Sequence, residues 1–72
     1  MHDPFKALVA CLGIFSGVSD ARLIEKEEVA SDKYNAKVRV NGFDIEGVGN
    51  HMFLAIISAF LSFEKTFPFK LN

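Results

Sequence analysis

Residues 37–47, Lys-Val-Arg-Val-Asn-Gly-Phe-Asp-Ile-Glu-Gly, constrain the fold more than any other stretch of the chain. In Asn41-Gly42 both residues tolerate positive φ, as a two-residue type I′ turn requires. The flanking residues alternate apolar with polar, the period of a strand with one wet face. So short a turn leaves no freedom of register. Val40 faces Phe43, Val38 faces Ile45 and Ala36 faces Gly47, while on the opposite side Arg39 meets Asp44 and Lys37 meets Glu46. A slip by one residue would turn the apolar set to water and undo both charge pairs. A hairpin is therefore expected, with strands at 34–41 and 43–48.

The flanking elements follow from local signals. Asp3-Pro4 is an N-cap acceptor followed by the residue suited to the first helical position. Phe5, Leu8, Val9, Leu12 and Phe15 recur at helical spacing until Ser16-Gly17, so a helix is expected over 4–15. Residues 22–29 read as a first strand. Its Glu25-Lys26-Glu27-Glu28 run suits an edge guarded against further pairing, and residues 30–33 read as a turn. Gly49-Asn50 closes the third strand, Asn50 offers a cap, and a second helix is expected over 50–65. In the tail, 66–72, Pro68 bars an interior strand. The fold class is α+β: one domain of 72 residues, ordered helix, three antiparallel strands, helix, with both helices packed on one face of the sheet.

Half of the residues are apolar and eight are Phe, a composition that folds. The net charge of −1 gives no general attraction to a phosphate backbone. Cys11 stands alone, which excludes an internal disulfide and a Cys-rich zinc site. It reads as a small buried hydrophobe in a reducing, cytoplasmic setting. Residues 6–21 have the Lys, apolar run and small residues of a weak secretory signal, but Asp3 dilutes the positive start and the run before Cys11 is short. Residues 52–63 are interrupted by Ser58 and Ser62 and fall short of a membrane span, which needs about 20 residues. No membrane partner is expected.

Chemistry-bearing residues are sparse. His51 has no acid, nucleophile or second ligand near it in sequence, so a structural or surface role is expected. Gly47-Val48-Gly49-Asn50 lacks the third Gly of a dinucleotide loop and the Lys of a P-loop, and reads as a tight turn. No catalytic residue, cofactor, metal or small-molecule substrate is expected; the chain reads as non-enzymatic.

The element order, together with Gly47, Gly49, Ala55 and Ala59, resembles the double-stranded-RNA-binding domain over nearly the whole chain. That family carries Gly-x-Gly-x-Ser-Lys-Lys-x-Ala-Lys at the third strand and second helix. The resemblance implies that the two alanines let the helix lie close on the sheet and that the glycines make the turn into it. The basic half of the pattern is missing. His51 stands at the Ser, Met52 and Phe53 at the two lysines, and Ile56 at the third. The loop at 30–33 also lacks the family's His. The strand–Gly-x-Gly–helix unit is similar, too, to units in the regulatory domain of isopropylmalate synthase. Weak or degenerate duplex-RNA binding is therefore the alternative function, with Lys6, Lys33, Lys37, Arg39, Asn50 and His51 as its contact residues.

The second helix bears two apolar stripes. Met52, Ile56, Ala59, Phe60 and Phe63 form one, and Phe53, Ile57 and Leu61 form another about 100° away. Ser58, Ser62 and Glu64 leave only a thin polar strip. One sheet face covers one stripe. The expected function is that of a protein-interaction module, a small regulator or inhibitor of the size phages and mobile elements encode. It would form a homodimer or bind another protein through Phe53, Ile57 and Leu61 with Phe67, Phe69 and Leu71 of the tail.

Overall fold

A computed structural model describes residues 3–18 and 20–66. The order is α1 (Pro4–Phe15), β1 (Ala21–Ala30), β2 (Lys33–Val40), β3 (Phe43–Gly49) and α2 (Met52–Thr66). The three strands form one antiparallel sheet in the order β1-β2-β3. Val9 of α1 and Ile56 of α2 join Ala36, Val38 and Val40 of the central strand in one buried cluster, so both helices cover the same face.

The hairpin has the register set by its turn. Val40 pairs with Phe43, Val38 with Ile45 and Ala36 with Gly47; Arg39 pairs with Asp44 and Lys37 with Glu46. Asn41 and Gly42 have φ of 51° and 89°, the mirror-image turn that matches the twist of the strands. Asn41 also ties the turn to the start of β1. Its backbone amide donates to the Asp20 carbonyl at 2.8 Å, and its side-chain Oδ1 accepts from the Asp20 amide at 3.2 Å.

β1 is less regular. Its pairing with β2 shifts between Leu23 and Glu25 and again between Glu28 and Ala30, leaving Ile24 and Val29 as extra residues. The first shift has a physical consequence. It puts Glu25 opposite Lys37 on the outer face and Lys26 opposite Ala36 on the helix side. Lys26 Nζ there donates to Asp3 Oδ2 at 2.8 Å and lies 4.8 Å from the centre of the Phe5 ring. Without the bulge Glu25 would face Asp3, a like charge.

Two expectations for α1 are corrected. Cys11 and Phe15 are exposed rather than part of the core. The inward side of α1 runs through Val9 and Gly13, both buried. A Cβ on Gly13 would lie 2.7 Å from the Ala21 Cβ, so this glycine sets how closely the helix meets β1. Two residues on from either position is about 200° around the helix, which turns Cys11 and Phe15 outward. The Asp3 cap is as expected, its Oδ1 accepting from the Phe5 amide at 2.9 Å.

α2 begins two residues later than expected. Its first bond runs from the Ala55 amide to the His51 carbonyl at 3.0 Å, so His51 and not Asn50 holds the capping position. Ala55 and Ala59 are fully buried against β3. A side chain on Gly47 would strike the backbone of Ala55 and Ala59, its Cβ falling 2.9 Å from the Ala59 Cα. The two glycines of β3 make room for the helix; neither has the left-handed backbone that a turn glycine shows.

Candidate interaction surface

The inward stripe of α2 is as its spacing requires: Ile56, Ala59, Phe60 and Phe63 are buried and Met52 is partly buried. The second stripe faces away from the sheet. Phe53 is 50% exposed, Ile57 37% and Leu61 57%. Leu54, which belongs to neither stripe and fills the space between them and the thin polar strip, is 45% exposed and lies on the same outward side, one residue from Phe53 and seven from Leu61. The signal for it was the spacing 54, 57, 61, an i, i+3, i+7 series.

α1 touches this surface at one edge. The rings of Phe5 and Phe53 lie 4.9 Å apart at a tilt of 54°. That contact holds the start of α2 beside the start of α1 and contributes about 0.5–1.5 kcal/mol beyond burial. Half of the Phe53 side chain still faces solvent. Phe67, Phe69 and Leu71, the other members of the expected interface, lie outside the described residues.

The residues of the alternative function are divided between surfaces. Lys6 is exposed on α1, Lys33 opens β2, and Asn50 and His51 are exposed in the turn into α2. Lys37 and Arg39 lie on the far side of the sheet, where carboxylates already hold them. Arg39 Nε donates to Asp44 Oδ1 at 2.7 Å, and Lys37 Nζ sits 3.8 Å from Glu25 and 3.9 Å from Glu46. The bond to Asp44 holds the Arg39 guanidinium above its ordinary value, and the same bond holds the Asp44 carboxyl below its own. Across the sheet Arg22 stands opposite Arg39, and each turns to its own acid, Arg22 Nε reaching Asp20 Oδ1 at 3.2 Å.

Among the described residues the helix side has one comparable pair, Asp3 with Lys26. The Lys26 ammonium, aided by the Phe5 amide, holds the Asp3 carboxyl below its usual 3.8. No group of three or more His, Cys, Asp or Glu arranged to hold a metal ion occurs among the described residues. No helix among them is long and apolar enough to cross a membrane. No protein-family model matches the chain, and no curated protein is significantly similar to it.

Proposed function

We propose that this chain is a non-enzymatic protein-interaction module whose binding element is the outward face of α2, and that it acts as a small regulator or inhibitor. The observation that carries this reading is the set of four neighbouring large apolar residues, Phe53, Leu54, Ile57 and Leu61, left partly in water on a helix whose opposite side packs into the core. Full burial of one such side chain is worth roughly 1.5–3 kcal/mol. Completing the burial of four therefore offers several kcal/mol to a partner, in a domain whose own stability is on the order of 5 kcal/mol.

Duplex-RNA binding is the weaker reading on electrostatic grounds. Lys37 and Arg39 are neutralised by Glu25, Glu46 and Asp44, on the sheet face that the helices do not cover. Phosphate binding draws on unpaired cations gathered on one side.

The test is the double variant Phe53→Lys, Ile57→Glu. It is expected to retain the far-UV circular dichroism of the wild type and a cooperative urea transition, its midpoint lowered by the loss of the Phe5–Phe53 contact, while losing association with any partner. Unfolding of the variant would overturn the reading, because only a buried stripe fails to tolerate two charges.

A further inference from the structure

α1 carries a second apolar stripe of its own. Ala7, Ala10, Cys11 and Ile14 follow the i, i+3, i+4, i+7 spacing, and all four are exposed. They lie on the side turned away from Val9 and Gly13, the residues that meet the sheet. Phe15 continues the stripe at the end of the helix, 90% exposed, beside Ile14 at 79%. The only charged residue in the twelve of α1 is Lys6. The outward surface of the helical layer therefore carries apolar residues on both helices, not on α2 alone, with Lys6, Glu64 and Lys65 as the exposed charges beside them.

Two properties of this surface point to its occupant. The first is area. Allowing roughly 200 Å² for a whole Phe side chain and slightly less for Leu and Ile, the exposed fractions of Ile14, Phe15, Phe53, Leu54, Ile57 and Leu61 amount to roughly 700 Å² in each copy. With Ala7, Ala10 and Cys11 the surface approaches the roughly 800 Å² that each partner brings to a standard interface. It exceeds the roughly 300–600 Å² of the largest patch on a typical monomer. The second is relief. Over most of its length α1 presents small side chains, Ala7, Ala10 and Cys11, whereas α2 presents large ones, Phe53, Leu54, Ile57 and Leu61. A two-fold axis over the layer lays the large residues of each α2 on the small residues of the other copy's α1. One surface then serves as both halves of the interface, which is the requirement for an isologous dimer.

We infer that the partner of this face is a second copy of this chain, and that the dimer packs α2 of each copy on the Ala7–Ala10–Cys11 strip of the other. The inference rests on the interaction reading above and names its partner. In such a dimer Cys11 lies under the opposing helix, so its thiol reports on occupancy.

The experiment is light scattering on the whole chain from micromolar to near-millimolar concentration, for the wild type and for Ala10→Glu, with the rate of Cys11 alkylation by N-ethylmaleimide measured alongside. The wild type is expected to rise from 8.0 kDa to twice that mass. Where nine-tenths of the chains are dimeric, Cys11 should react about tenfold more slowly than in dilute solution, because only the monomer presents it. Ala10→Glu, at an exposed helical position, should keep its circular dichroism and remain monomeric. A mass of 8.0 kDa at every concentration would overturn the inference. So would a dimer that Ala10→Glu leaves intact and in which Cys11 reacts at a constant rate, since that dimer would use another face. Neither result touches the broader interaction reading, whose failure is seen instead in the unfolding of the Phe53→Lys, Ile57→Glu variant.

Discussion

On the outer face of the sheet Arg39 holds Asp44 at 2.7 Å and Lys37 lies between Glu25 and Glu46, whereas the outer face of the helical layer presents Phe53, Leu54, Ile57 and Leu61 to solvent. Both faces belong to elements whose inner sides share one core. The difference lies in what each face leaves unsatisfied. Charges on the sheet find opposite charges one strand away, and a partner docking there would have to replace pairs already made and desolvate them. Apolar groups on the helices have no neighbour further out among the described residues. A partner gains from covering the second face and gains little from the first.

The comparison depends first on the frame that keeps the helices on the sheet. Gly47→Ala should break that frame and so produces the largest expected effect. The new methyl group meets the backbone of Ala59 and Ala55, which cannot move without lifting α2. A loss of about 3 kcal/mol is expected, more than half of a typical small domain's stability, read as a fall in the urea midpoint. An unchanged midpoint would mean that α2 leaves room for a methyl group on Gly47.

A second test compares acid sensitivity on the two faces. Asp3 on the helix side and Asp44 on the sheet both have carboxyls held below 3.8 by their cationic partners. A lowered folded value means that each contributes stability above pH 3.8, lost as the pH falls through that value toward the folded one. The wild type should therefore lose melting temperature in this acid range. Asp3→Ala removes the cap of α1 together with the Lys26 bond, and should lower the melting temperature at neutral pH while flattening the acid decline. An identical acid decline in wild type and variant would show that the Asp3–Lys26 pair contributes nothing.

The smallest expected effect belongs to the sheet. Val48, on its outer face, is 51% exposed, about as open as Phe53 at 50%. Val48→Lys should leave both the midpoint and the state of association unchanged, where a charge at position 53 or 57 should abolish association. A monomeric Val48→Lys would move the interface to the sheet and reverse the comparison.

How much of this was legible in the sequence differed between elements for physical reasons. The β2–β3 register could be read residue by residue, because Asn41-Gly42 permits one turn and the charges pair in one way. β1 could be read as an edge but not in phase, since an edge strand has one neighbour and tolerates bulges at Ile24 and Val29 that no propensity marks. The two stripes of α2 were plain because their residues are large. The outward stripe of α1 was not, because Ala7, Ala10 and Cys11 are ordinary helix fillers until the exposure of Ile14 and Phe15 shows which way they face. Gly47 and Gly49 suggested a turn, and only the nearness of Ala55 and Leu54 shows that they are there for clearance.

The central claim is that the outer helical face is wet in the single chain and covered by a second copy on association. The chain contains no Trp, so Leu61→Trp places a single fluorescent reporter on that face. Water-like, long-wavelength emission is expected in dilute solution, moving to shorter wavelength as the concentration rises. Emission that is the same at every concentration would contradict it: constant short-wavelength emission would mean that the chain covers the face itself, and constant long-wavelength emission that nothing covers it.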